Sequence, residues 1–410
     1  MEKPGSALAQ SSSNGGTSGP VTNAPAGSGV KAASCAGFRN GVGITDTTIS
    51  IGNEADLSGP IPGLFASAKQ GVSAYLAYFN ATNPNGICGR KLVLDSQDSR
   101  TDAGADQQST LKMCQKDFAA VGSLSAYDGG GAQAAQSCGL PDLRAFSTQI
   151  ARNACSTCHG IQPISTHLLS TAIFSYWIKH NRAATQKAAL IYLNAGAAVD
   201  QAKLQLAVGR KLGMNWIYTT SVDVADFNYS PYVQQLKAKG VEFAYFVGAY
   251  QQSVRWAQAM QSSAYKPEIA YYTPGIYDQG FIKSGGSAVE GATTYVSFTP
   301  LEQRQAELDL YKRWLGQVAP GAEPSFYGIF AWSAAKLFTQ KALQLGGDLD
   351  RANLLKAIRS TSGWTGGGMH APMSVGAKIP PACVRFLKVQ SGRFVSADSG
   401  QYMCAGTTSD

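Results

Sequence analysis

Residues 48–80 read TISIGNEADLSGPIPGLFASAKQGVSAYLAYFN, and the change of period inside them decides the fold. Ile49 and Ile51 alternate with Ser50 and Gly52, the period-two mark of a short strand. A turn follows at Leu57, Ser58, Gly59 and Pro60, where Gly and Pro stand side by side. From Phe65 onward the apolar residues Ala68, Val72, Tyr75, Leu76 and Phe79 fall at helical spacing on one face. A strand, a glycine-containing loop and a helix are the opening half of a β-α-β unit. Ligands of such units sit beyond the carboxyl ends of the strands, at the loop and the helix start. Ser58 and Gly59 are therefore the first candidate contacts.

The same rhythm continues along the chain. Strands are expected at 91–94, 118–122 and 143–146, with helices at 102–116 and 132–137 between them. The loop 123–131, SLSAYDGGG, and the pair Ser147-Thr148 deliver hydroxyls and bare backbone at the edge where Ser58 lies. From residue 166 the pattern restarts. Helices at 168–180, 199–212, 231–239 and 253–262 alternate with strands at 188–193, 216–222, 243–247 and 269–273. A strand at 293–298 returns from this second set. Helices at 303–317, 327–344 and 351–360 follow, then the hairpin VRFLKV-QSG-RFVSA. Alternation of strands and helices predicts α/β architecture: two doubly wound parallel-sheet lobes joined by a multi-strand hinge. The returning strand makes the lobes discontinuous. They are expected at 45–165 plus 297–375 and at 166–296 plus 376–410, with the ligand site in the cleft between them.

Composition bounds the function. The chain has 410 residues, 44% hydrophobic and 15% charged, enough for two cores. No run of eighteen apolar residues occurs, so no spanning helix is expected. The net charge of +8 is scattered, without a basic stripe interleaved with aromatics, which argues against nucleic-acid binding. Residues 1–44 begin with a Ser/Gly/Ala/Pro-rich block and read as a flexible tether. Ala32-Ala33-Ser34-Cys35 has the small-residue end of a lipoprotein signal but no apolar segment before it. It is not read as a processing site; a signal removed upstream is expected, with the tether standing the protein off a membrane. The eight cysteines, an even number, indicate an exported, oxidised protein. Cys383 with Cys404, and Cys155 with Cys158, are expected pairs. Cys35, Cys88, Cys114 and Cys138 allow three connectivities, of which Cys114–Cys138 is favoured because each ends a helix just before a strand.

With these elements in place, the chain resembles the extracellular solute-binding proteins of ABC transporters, of the branched-chain amino-acid-binding type, which have the type I periplasmic-binding fold. The stretches that carry the resemblance are ISIGNEADLSGPIPGLFASAKQGVSAYLAYFN, GICGRKLVLDSQDS, FAAVGSLSA, KAALIYLNA, FNYSPYVQQLKAKGVEFAYFVGAY, YYTPGIYDQGF, VEGATTYVSFTP and YGIFAWSAAKLFTQKAL, spread over residues 45–400. The resemblance implies capture of a small solute by hinge closure and delivery to an ABC permease. A monomer without cofactor or metal, extracellular, lipid-anchored at the cell surface or periplasmic, is expected.

In amino-acid binders of that family the ligand carboxylate meets a hydroxyl after the third strand and small or hydroxyl residues after the fourth. The corresponding positions here are Ser125-Ala126-Tyr127 and Phe146-Ser147-Thr148. Such hydroxyls also cap the following helix in many proteins. The ammonium side departs from the family. The position of its acidic partner is Gly275, beside Ile276 and Tyr277, and a tyrosine usual after the first strand of the second lobe is replaced around Ala197. An aromatic is kept at Tyr250. A buried ammonium without a carboxylate costs several kcal/mol. Unless Asp278 takes that role, the ligand is not a plain α-amino acid. With Leu64, Phe65 and the aromatics named above, the cleft suits a small organic solute with one polar end and an apolar body, such as an aromatic or aliphatic acid. Peptide-linked or modified amino acids are also compatible.

One motif competes. Cys155-Ser156-Thr157-Cys158-His159 has the spacing of covalent c-type haem attachment, with His159 as axial ligand, and would make the chain a redox protein. It falls in a loop ahead of a crossing helix, where a local disulfide is the simpler expectation. No catalytic constellation is evident. His159, His167, His180 and His370 are dispersed, and Asp223 and Asp226 read as helix caps.

Overall fold

A computed structural model describes residues 30–162 and 167–410. The first sheet has five strands: β1 (Thr48–Ala55), β2 (Lys91–Asp98), β3 (Ala119–Val121), β4 (Asp142–Phe146) and β5 (Cys158–Gln162). Their order is β2-β1-β3-β4-β5, and every pairing is parallel. Ile49 and Ile51 are fully buried in β1, and the helix Ala66–Thr82 covers them with Ala68, Val72, Tyr75 and Phe79. The opening β-α-β reading is thus the structure's own starting unit.

After β6 (Leu168–Ser170) comes a second, eight-stranded sheet. It contains β7 (Ala188–Leu193), β8 (Trp216–Val222), β9 (Phe243–Val247), β10 (Ile269–Tyr272), β11 (Thr293–Val296), β12 (Cys383–Gln390), β13 (Arg393–Ser396) and β14 (Met403–Cys404). Strands β8-β7-β9-β10-β11 run parallel, whereas β12 and β13 add an antiparallel edge. The last strand, β15 (Thr407–Ser409), pairs with β6. Helices Ala306–Val318, Phe326–Leu345 and Arg351–Arg359 lie in sequence between β11 and β12, and Phe326–Leu345 packs back against the first lobe. It is apolar nearly all round because it is the centre of that lobe. Trp332 is fully buried there among the rings of Tyr75, Tyr78 and Tyr311. The chain crosses between the lobes after β5, after β11 and before β12. Two of the crossings are stitched where Ala371 N–H donates to Ser297 O and Ser297 Oγ to Gln162 Oε1.

Three expectations need correction. Residues 168–170 are not the start of a helix: they form β6, and the helix begins at Ala172. The β-branched and polar tail strand β15 captures them, a long-range pairing that overrides local propensity. Cys158 and His159 are not in a loop but in β5, the fifth strand of the first sheet, which alternation alone did not reveal. The helix before it, Ile150–Ala154, was also unexpected. Finally, the last residues of the expected 1–44 tether are held to the folded chain. Residues 1–29 lie outside the described residues, but Ala33 N–H bonds Leu343 O, Gly347 N–H bonds Ser34 O, and Ile44 is buried. Small polar residues suffice there because the Cys35–Cys88 bridge anchors them.

The other bridges are Cys114–Cys138, Cys155–Cys158 and Cys383–Cys404. The last joins β12 to β14, closing a loop with a sequence separation of 21. Replacing both of its cysteines by serine is expected to lower stability by about 3 kcal/mol, read from urea denaturation. A change below about 1 kcal/mol would mean that the tail is already held by its hydrogen bonds.

Candidate functional site

A network of buried charge lies under the carboxyl ends of the first sheet. Arg144 on β4 reaches Asp142 at 3.1 Å, Asp128 at 3.7 Å and Glu54 at 3.8 Å, and Arg152 reaches Asp106 at 2.9 Å and Asp142 at 3.0 Å. All these side chains are essentially inaccessible. Burial, then the neighbouring Asp106, holds the Glu54 carboxyl well above its usual range. Burial also pushes Asp128 up to about 6, against the pull of the two arginines. Asp128 accepts from Thr148 N–H at 2.7 Å and Gln149 N–H at 2.9 Å, so the network sets the loop after β4.

Above it a cavity of about 330 Å³ opens between the lobes. The first lobe supplies Ile61, Leu64 and Phe65 from the loop and helix after β1, Ala126 and Tyr127 after β3, and Phe146 and Thr148 after β4. The second lobe supplies Leu193, Ala195, Ala197 and Ala198 around the end of β7, and Thr273 to Gly275 after β10. Gln162, Ser297, Pro380 and Pro381 come from the crossings. Phe146 forms a floor with the rings of Phe326, Tyr327 and Phe330 at 4.9, 5.9 and 5.1 Å. The lobes touch directly at one side: Ala197 N–H donates to Ala126 O at 3.2 Å. Gly196, with φ +42°, makes that approach possible, because a Cβ there would stand 2.4 Å from the same oxygen.

Of the contacts expected from sequence, Leu64, Ala126, Tyr127, Phe146, Thr148, Ala197 and Gly275 are brought together on this cavity. The others are not. Ser58 Oγ donates to Asp98 Oδ2 at 2.6 Å, and the amides of Leu57 and Ser58 bond Asp98 Oδ1. Asp98 therefore takes the donors that were expected to face a ligand. Gly59 packs on the backbone of Arg100. Ser125 and Ser147 are buried, but Leu124 and Ala126, and Phe146 and Thr148, line the wall on either side of them. Neither serine lines the cavity: Ser125 Oγ accepts from Tyr127 N–H at 3.2 Å, and the buried Ser147 Oγ has no hydrogen-bond partner. Tyr277 is a core residue: its hydroxyl donates to Glu302 Oε2 at 2.5 Å and accepts from Leu301 N–H at 2.7 Å.

Tyr250 lines a smaller adjoining cavity of about 220 Å³, with Asp278, and shares Leu64, Gly275 and Tyr327 with the main one. Asp278 does not replace the missing acid. It caps the helix Gln279–Gly285 by accepting from Gly280 N–H at 2.7 Å, and burial raises its pKa. At Gly275 itself a Cβ would come within 2.9 Å of Tyr327 Oη, so that tyrosine occupies the space of an acidic side chain.

Sequence reading missed the crossing residues Gln162 and Ser297, the second-lobe Gln205, and Thr101 after β2. Gln205 did leave a signal. It stands with Ala202, Val208 and Gly209 on the buried stripe of helix Gly196–Leu212, a polar residue where the periodicity calls for an apolar one. The crossing residues left none, because their partners are more than a hundred positions away.

The haem spacing finds no support here. Both sulfurs are joined in the Cys155–Cys158 bridge, and His159 is 2% exposed with Nδ1 against Val375 O. Burial and the neighbouring Lys378 lower its pKa to about 4. Among the described residues no group of His, Cys, Asp or Glu could hold a metal ion, and no helix is long and apolar enough to cross a membrane.

Residues 48–393 match the periplasmic binding protein family, and the chain belongs to it. Comparison with curated proteins found no match. Among solved structures, a leucine binding protein from Thermotoga maritima superposes with a TM-score of 0.71 at 15% identity, covering 86% of this chain and 98% of that one. A substrate-binding protein of a fatty acid ABC transporter from Thermomonospora curvata gives 0.76 at 16% identity, with 88% and 94% covered. An ABC transporter solute-binding protein from R. palustris, in complex with 4-hydroxybenzoate, gives 0.71 at 14%, with 87% and 97% covered. At these identities the likeness establishes the fold, here the type I periplasmic-binding fold.

Proposed function

We propose that the chain is the solute-binding component of an ABC importer, capturing a small organic solute with an apolar body between its two lobes and presenting it to the permease. The observation that carries this reading is the cavity of about 330 Å³ walled by both lobes. That volume falls at the small end of the range for small-molecule sites, roughly 300–1,000 Å³. The solute is not a plain α-amino acid. Gly275 and Tyr327 stand where an ammonium partner would be needed, and an unpaired buried ammonium is costly. Relatives described with a fatty acid or 4-hydroxybenzoate indicate that the fold accommodates apolar bodies. The protein binds without turnover. It works as a monomer outside the cytoplasmic membrane, in the periplasm or lipid-anchored at the cell surface. Its lobes are residues 45–165 with 297–375 and residues 166–296 with 376–410.

Native mass spectrometry of the purified chain identifies a carried-over solute, and calorimetry with compounds of that mass gives the affinity. Small-angle scattering is expected to show compaction on binding. Leu64→Arg, which puts a cation on a half-buried wall position, is expected to weaken binding about tenfold. Conversion of the solute at a rate proportional to protein would replace this reading with an enzymatic one.

A further inference from the structure

We infer that the captured solute is uncharged and carries a hydroxyl or N–H that it donates to Gln205 Oε1; this rests on the solute-binding reading above. Among the described residues that line the cavity, none is acidic, basic or histidine. A carboxylate would thus need neutral donors, and of those at the strand ends the ones from Ala126, Tyr127 and Thr148 are already engaged from within, while the unpaired Ser147 hydroxyl belongs to a residue that does not line the cavity. Ala126 N–H donates to Asp56 Oδ2 at 2.9 Å, and Tyr127 N–H to Ser125 Oγ at 3.2 Å. Thr148 gives its N–H to Asp128 and its hydroxyl to Ser125 O at 2.8 Å. The acceptors behind two of these amides are carboxyl groups, so the wall where an anion would dock is backed by acids rather than by free dipoles. An ionised ligand end would be desolvated there without a partner.

The polar atoms that do lack partners ask for something else. Gln205 is 1% exposed and lines the cavity from the second lobe; its side chain interacts with the Tyr245 hydroxyl, and its Oε1 has no hydrogen-bond partner. A carboxamide oxygen can only accept, so the group that satisfies it must be a donor, which a carboxylate is not. Thr101 Oγ1, on the first-lobe wall, is likewise buried and unpaired and can serve as donor or acceptor. Buried polar atoms without partners in a cavity are satisfied by a ligand at a gain of a full hydrogen bond. A phenol or an alicyclic or linear alcohol meets both demands: an apolar body for the aliphatic and aromatic walls, and one neutral donor for Gln205.

The test uses the full chain freed of any carried-over solute, titrated calorimetrically with matched probes. Benzyl, alicyclic and medium-chain linear alcohols are each paired with the carboxylate of the same skeleton at pH 7.5. For the skeleton that binds, the alcohol is expected to bind at least about thirtyfold tighter than its carboxylate. Gln205→Leu is expected to weaken the alcohol about tenfold relative to the parent hydrocarbon. Thr101→Val, a substitution at a surface-proximal loop, supplies a second variant if Gln205→Leu does not fold, with an expected loss of about fivefold. A carboxylate binding as tightly as its alcohol would overturn the inference and leave the solute-binding reading standing. Absence of binding by either member of every pair would overturn both.

Discussion

Arg144→Leu is expected to lower the stability of the chain by about 3–5 kcal/mol at pH 7.5. Arg144 faces Asp142, Asp128 and Glu54, all inaccessible to solvent, so its removal leaves acids buried with only Arg152 to answer them. The loss depends on pH with a definite sign. Burial already raises the folded pKa of Asp128 to about 6 and holds Glu54 well above its usual range, and loss of the arginine raises both further. A carboxyl with a folded pKa above its unfolded one stabilises fully below the unfolded value, about 4. That contribution is lost as pH rises through the folded value. The variant is therefore closest to the parent near pH 5 and furthest from it above pH 7. Urea denaturation at both pH values reads the difference. Equal losses at pH 5 and 7.5 would assign the effect to packing around Arg144 instead of charge. Because Asp128 holds the amides of Thr148 and Gln149, the variant is also expected to bind solute more weakly.

Gly196→Val is expected to weaken solute binding by about 2–3 kcal/mol, roughly 30- to 150-fold. The side chain would meet Ala126 O, where the lobes touch, and would displace the Ala197 N–H donor that bonds the same oxygen. That contact joins the two lobes, so under the proposed capture by hinge closure the substitution biases the chain toward an open arrangement and lowers apparent affinity by the shift in population. Backbone strain at φ +42° adds a general destabilisation of about 1–2 kcal/mol. Gly213→Ala separates the two effects. It has φ +104° but nothing within 4 Å of the added atom, so it is expected to cost stability and leave affinity alone. Calorimetry with the carried-over solute and scattering with and without it are the measurements. Unchanged affinity in Gly196→Val would mean that the lobes do not close through this contact.

The candidate site was legible where function follows from strand ends. Loops after β3, β4, β7 and β10 were expected to meet, and Ala126, Phe146, Thr148, Ala197 and Gly275 do line one cavity. Direction within those loops was less legible. Ser125 and Ser147 look like ligand hydroxyls in a linear reading, yet each is buried between two wall residues and lines no part of the cavity itself. Ser58 was similarly misjudged, since its partner Asp98 lies forty positions on.

Periodicity and turn chemistry by themselves determined the β-α alternation, the two lobes and the oxidised cysteines, because these depend on neighbours a few residues apart. The pairs Cys155–Cys158, Cys383–Cys404 and Cys114–Cys138 followed from local spacing and from the ends of adjacent elements. Contacts between distant segments were decided only by tertiary structure. The tail strand β15 converts 168–170 from helix to strand. Tyr327 fills the space beside Gly275, and Asp56 takes the amide of Ala126 seventy positions away. A hydrogen-bond donor in a sequence is only a capacity; whether it is free for a ligand depends on which acceptor the fold brings to it first.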